Sequence, residues 1–79
     1  MPELEKELLT TTGRLLLFLG RSGGSATFTD ARRFIGSQIY YALKQAITLG
    51  LVVEEEEGRK VRLSERGRTL AECLVKCFQ

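Results

Sequence analysis

Leucines recur at three- and four-residue spacing near the start of the chain: Leu4, Leu8, Leu15 and Leu19, joined by Leu9, Leu16 and Phe18. That period predicts a first helix over 3–19. Glu3, Glu5 and Glu7 fall in its first turns, where the positive end of the macrodipole favours carboxylates. Thr10, Thr11, Thr12 and Gly13 weaken its middle, because β-branched residues and Gly cost about 0.5 to 1 kcal/mol each relative to Ala in a helix. A bend, or a start near Thr10, fits the same pattern. Gly20 and the cluster Gly23-Gly24-Ser25 end the helix in a loop.

Ala26-Thr27-Phe28 reads as a short apolar strand. Thr29 followed by Asp30 is an N-cap signal with Phe28 at the staple position, and a short basic helix runs over 31–35 before Gly36. Ser37 is expected to cap a longer helix over 38–49, with Ile39, Leu43, Ala46 and Ile47 on one face and Gln38, Tyr41, Lys44, Gln45 and Thr48 on the other. Two helices joined by Gly36-Ser37 alone cannot lie antiparallel. They must cross steeply, as in a helix-turn-helix.

After Gly50 the period changes to that of a β-hairpin, Leu51-Val52-Val53 leading through four Glu and Gly58 into Arg59-Lys60-Val61-Arg62-Leu63. A three-residue loop with Gly58 left-handed opposes Val53 to Val61 and Leu51 to Leu63. It also sets Val52 against Arg62 and pairs Glu54 with Lys60 and Glu55 with Arg59 across the strands. A two-residue loop would instead set Glu54 against Val61; the three-residue loop is preferred because it keeps the apolar residues on one face. Ser64-Glu65 then caps a last helix whose apolar face is Leu70, Cys73, Leu74, Cys77 and Phe78.

Composition sharpens this picture by exclusion. The chain has 79 residues, one Pro, no Trp and no His. That length supports one domain with a thin core, since about 60% of the unfolded surface is buried at this size, and it favours help from dimerisation or unusually regular helix packing. Without His, Ser-His-Asp and Cys-His catalysis and His-based metal sites are impossible within one chain. The longest wholly apolar run, Leu15 to Leu19, is five residues, whereas a membrane span needs roughly 20. The start is acidic rather than basic like a signal peptide, so the expected location is the cytoplasm, away from membranes. Cys73 and Cys77 are too few for a secreted disulfide scaffold and, with no third Cys or His, cannot fill a tetrahedral metal site. Small apolar packing on a helix or dimer face accounts for them best. A thiol redox switch is the alternative, although a four-residue spacing is too long for a Cys-x-x-Cys active site. Twelve Lys and Arg stand against ten Asp and Glu, and the excess of positive charge is concentrated in the middle of the chain, over 11–50.

The run from Thr29 through Asp30-Ala31-Arg32-Arg33-Phe34-Ile35-Gly36-Ser37-Gln38 to Ile39, the segment 43–52, and Leu63-Ser64-Glu65-Arg66-Gly67-Arg68-Thr69-Leu70 together resemble a winged helix-turn-helix domain. The likeness is greatest to the small archaeal and bacterial transcriptional regulators of the MarR, ArsR and PadR type, and it covers roughly residues 4–79. In that family the recognition helix carries apolar residues eleven and seven positions before its closing Gly, as Ile39 and Leu43 stand before Gly50. The wing ends in a segment similar to Leu-Ser/Thr-Glu-Lys/Arg-Gly-Arg, here 63–68. The sequence departs from the family pattern in two places: the connection before the recognition helix is one residue short, and the ascending wing strand is strongly acidic.

The expected fold is therefore α+β, a winged helix-turn-helix with a three-helix core, a β-hairpin wing and a C-terminal helix. It forms a single domain over 1–79, with the helix-turn-helix at about 29–50, the wing at about 51–63 and the last helix at about 64–79. A recognition helix reads base edges in the major groove with side chains that donate and accept. The candidates are Ser37, Gln38, Tyr40, Tyr41, Lys44 and Gln45. Arg32 and Arg33 on the preceding helix, and Arg59, Lys60 and Arg62 on the wing, are placed to neutralise phosphates; the competing reading makes them solvated surface and ion pairs within the hairpin. No catalytic residue, metal or cofactor is expected. The expected activity is sequence-specific binding of double-stranded DNA as a transcriptional regulator, not catalysis, with a small-molecule effector left open. A homodimer would form through Leu4, Leu8, Leu70, Cys73, Leu74, Cys77 and Phe78. The rivals are a protein–protein interaction module in a transcription or chromatin assembly, favoured by the acidic wing, and a regulator that senses redox state through Cys73 and Cys77.

Overall fold

The computed structural model describes residues 9–78. Its elements are α1 (Thr11–Arg21), β1 (Ser25–Thr27), α2 (Phe28–Ile35), α3 (Ile39–Thr48), β2 (Val52–Glu55), β3 (Lys60–Leu63) and α4 (Glu65–Cys77). The predicted order of helix, strand, helix, helix, hairpin and helix is present. The first helix begins at the later of the two expected starts, where the Thr10 hydroxyl accepts the Gly13 N–H at 3.1 Å and caps it. The part of the predicted helix before Leu9, with Leu4 and Leu8, lies outside the described residues. At its other end α1 does not stop at Gly20. A Cβ there would come within 3.0 Å of Val75 and 3.1 Å of Ala71, so Gly20 serves the close approach of α4 to α1.

The core lies around α1: Leu15, Leu16 and Leu19 pack with Ala31 and Ile35 of α2, Ile39, Ala42, Leu43 and Ala46 of α3, Val52, Val61 and Leu63 of the sheet, and Ala71 of α4. Burial of each large side chain contributes roughly 1.5 to 3 kcal/mol. Thr12, the buried polar side chain among the described residues, donates its hydroxyl hydrogen to Gln45 Oε1 of α3; a buried hydroxyl without such a partner would destabilise the domain.

Two expected helix caps shift. The cap of α2 is Thr27, whose hydroxyl accepts the Asp30 N–H at 3.1 Å, so Thr29 sits inside the first turn and Phe28 begins the helix. Thr27 already has extended backbone as the last residue of β1, the conformation an N-cap needs. Ser37 does not cap α3 either; Gln38 occupies that position without a side-chain cap bond. Gly36 turns the chain between the two helices at φ 91° and ψ −152°, a region essentially restricted to glycine.

The sheet is antiparallel in the order β1-β3-β2. Its register corrects the preferred hairpin: Val52 faces Leu63, Val53 faces Arg62, Glu54 faces Val61 and Glu55 faces Lys60. This is the pairing of the alternative loop, reached through a turn in which Glu56, Glu57 and Gly58 are all left-handed, at φ 53°, 57° and 86°. The sequence argument allowed that conformation to Gly alone, because an L-residue there costs about 1 kcal/mol or more. What fixes the register is the open end of the hairpin. The Leu51 N–H donates to Ala46 O at 2.8 Å, and Leu51 O accepts the Ser64 N–H at 2.9 Å. Leu51 is thus tied to the end of α3 and to the start of α4, and Val52 must face Leu63. Val53 turns outward and is exposed.

Candidate nucleic-acid interface

α3 buries Ile39, Ala42, Leu43 and Ala46 and leaves Tyr40, Tyr41, Lys44, Gln45, Ile47 and Thr48 outside. Ile47, expected on the buried face, is exposed because that face is turned toward Ala42 on the opposite flank of the helix. With 3.6 residues per turn, Tyr41, Lys44 and Thr48 form the centre line of the outer face, and the two flanks are held by neighbours. On one flank Gln45 is bonded to Thr12, so its side chain leans toward α1 and serves to hold the helix. On the other, the Tyr40 ring lies 5.5 Å from the Phe28 ring and yet is 63% exposed. Tyr41 is equally exposed, with no ring partner among the described residues. Ser37 and Gln38 are exposed at the N-terminal end of the same helix.

Arg32 and Arg33 are exposed on α2. Arg59 is exposed in the hairpin turn, and its carbonyl accepts the Phe28 N–H at 2.7 Å, which ties the wing to the start of α2. Lys60, half-buried, lines a surface hollow together with Arg33, far from it in sequence. Arg62 is engaged by Glu55 at 3.3 Å with the two side chains 53% and 36% exposed, a surface pair worth at most about 1 kcal/mol. The structure thus places Arg33 and Lys60 on one surface hollow, ties Arg62 to a wing carboxylate, and turns Gln45 aside.

Sequence reasoning missed Phe34. Its ring stacks on Phe18 at 4.9 Å and lies 5.8 Å from the Arg14 guanidinium, and it is 42% exposed beside Arg33. The signal was available: Phe34 precedes the buried Ile35, and adjacent residues of a short helix cannot both face the core.

At the other end of the chain, α4 buries Gly67 and Ala71, half-buries Leu74, Val75 and Phe78, and exposes Leu70, Cys73 and Cys77. The predicted apolar face is therefore divided. Leu74 and Phe78 lie on the side turned toward the domain, whereas both cysteines are free and exposed, not packed within it. Among the described residues no helix is long and apolar enough to cross a membrane, and no three His, Cys, Asp or Glu are placed to hold a metal ion.

A hairpin joined to the second helix of a helix-turn-helix, its strands extended by a short strand from before that unit, defines a winged helix. Comparison with solved structures agrees. The crystal structure of MepR, a transcription regulator of the Staphylococcus aureus multidrug efflux pump MepA, superposes with a TM-score of 0.66 over 98% of this chain at 22% sequence identity. The match spans 63% of the MepR chain. No protein-family model and no curated protein matches the sequence.

Proposed function

We propose that this chain binds double-stranded DNA in a sequence-specific manner as a transcriptional regulator, with α3 in the major groove. The observation that supports this most is the outer face of α3, where Tyr41 and Lys44 stand in solvent opposite the buried Ile39 and Leu43, with Gln38 exposed at the N-terminal end of the helix. The exposed cations Arg32 and Arg33 lie on the adjoining helix. Gln pairs with adenine through two hydrogen bonds, Lys favours guanine or phosphate, and Tyr bonds phosphate or packs on a thymine methyl. Arg32, Arg33, Arg59 and Lys60 would supply affinity without sequence information. The shared fold with MepR, itself a transcription regulator, supports the same reading, and the proposal assigns no catalytic residue.

The proposed active form is a homodimer. Leu70, Cys73 and Cys77 make an exposed stripe of three- and four-residue spacing on α4, a pattern that suits packing against a second helix.

Selection from a random duplex pool followed by anisotropy measurements tests the assignment of faces. Gln38→Ala and Tyr41→Ala each cost about 1 to 3 kcal/mol on the selected site and relax its preference, whereas Arg33→Ala weakens all sequences alike. Unchanged binding in the Gln38→Ala/Tyr41→Ala double variant would refute it. The second reading, a protein–protein adapter, is favoured by the acidic wing turn and requires no DNA affinity at any salt concentration.

A further inference from the structure

The hollow shared by Arg33 and Lys60 has an aromatic wall as well as charge. Phe18 and Phe34 both line it; their rings are stacked at 4.9 Å, and Phe34 keeps 42% of its surface in solvent. Asp30, Arg33 and Phe34 follow one another on α2 at three- and four-residue spacing, so they share one face of that helix. All three are exposed. Lys60 reaches the same hollow from β3. Its partner across the hairpin, Glu55, is engaged by Arg62 at 3.3 Å, and among the described residues none of Lys60, Arg33 and Asp30 makes an ion pair. The hollow measures about 700 Å³, within the range of small-molecule sites.

We propose that this hollow is a nucleotide site. The base packs on the exposed ring of Phe34, Arg33 and Lys60 take the phosphate, and Asp30 accepts a hydrogen bond from an amino group of the base. The mixed charge selects this chemistry. A simple aromatic acid would find two cations but would also meet the Asp30 carboxylate, whereas a nucleotide carries its anion and its amino donor on separate groups. Base stacking on an aromatic ring with cations along the phosphate is the general mode by which unpaired nucleotides are held. The proposal does not rest on the major-groove reading of α3. A free nucleotide and an unpaired residue of a DNA strand present the same chemistry to it.

The test is a nuclear magnetic resonance titration of the full chain with adenosine monophosphate, ribose phosphate and an oligodeoxyadenylate, each to millimolar concentration. Adenosine monophosphate is expected to saturate a site that shifts the amides of Arg33, Phe34 and Lys60, and to bind at least about fivefold more tightly than ribose phosphate. Phe34→Leu is expected to reduce it to the level of ribose phosphate without weakening ribose phosphate itself, a split that general unfolding would not produce. Lys60→Gln weakens both. An oligonucleotide that binds more tightly than the mononucleotide identifies a strand as the source; equal affinity identifies the free nucleotide. Ribose phosphate binding as well as adenosine monophosphate, Phe34→Leu without effect, or no saturable binding of either nucleotide probe would overturn the proposal. Tyr41→Ala is expected to leave adenosine monophosphate binding unchanged, so the nucleotide site and the DNA-binding reading of α3 stand or fall separately.

Discussion

Replacing Gly67 by Ala adds one methyl group at the point where three elements meet. A Cβ there would lie 2.8 Å from the Leu51 carbonyl carbon and 3.1 Å from its Cα, and closer still to the carbonyl oxygen. That oxygen already accepts the Ser64 N–H at 2.9 Å, and the Leu51 N–H is held by Ala46 at 2.8 Å. The obstacle is therefore backbone, which cannot rotate away as a side chain would. Relief requires α4 to move from the hairpin, which strains both bonds and the contacts of buried Leu51. Overpacking of this kind costs about 1 to 3 kcal/mol or more, and with backbone as the obstacle the upper end applies. The gain in helix propensity from Gly to Ala returns about 1 kcal/mol. A net loss of roughly 2 kcal/mol corresponds to a fall in Tm of about 8 to 16 °C in a domain of this size. It would be read from thermal and urea unfolding followed by circular dichroism. A Tm equal to or above that of the wild type would refute the close packing of α4 on Leu51.

The same substitution elsewhere has the opposite sign: at Gly13 a Cβ meets its nearest neighbours at an ordinary 3.5 Å, so Gly13→Ala is expected to raise Tm by a few degrees, from about 0.5 to 1 kcal/mol of propensity, and a lowered Tm would contradict the placement of α1. Sedimentation at micromolar concentration checks the dimer proposal, with the expectation of a dimer that Leu70→Glu converts to a monomer by placing a charge in the stripe. A wild-type chain that sediments as a monomer of 8.9 kDa would remove that proposal and the expectation of a palindromic site.

Much of the architecture could be read from the spacing of apolar residues, because each helix presents a stripe of Leu, Ile or Ala to a shared core. Ser64 could be recognised as a cap because its hydroxyl does accept the Gly67 N–H, at 3.0 Å. The pattern failed where a decision depended on contacts between distant segments. The hairpin register followed from the Leu51 bonds to Ala46 and Ser64, not from matching valines across the strands. Thr27 displaced Thr29 as a cap because the preceding strand had already extended its backbone. In the candidate interface the exposed face of α3 was legible, but the role of Gln45 was not. Its partner Thr12 lies on a different helix, and a polar residue tied to another element has the same sequence signature as one free to meet a base. The shared hollow of Arg33 and Lys60 was hidden for the same reason, because its lining comes from segments far apart in the sequence.

The most direct test of the central claim is a salt series with the unmodified chain and a short duplex of generic sequence. Five exposed or half-buried cations, Arg32, Arg33, Lys44, Arg59 and Lys60, are available to phosphates. Neutralising three to five of them would give a slope of log K against log salt of roughly −3 to −4.5. Measurable binding at about 50 mM salt that weakens along such a line is the predicted result. Absence of binding at that salt, or binding indifferent to salt, would contradict a DNA-binding function for this winged helix.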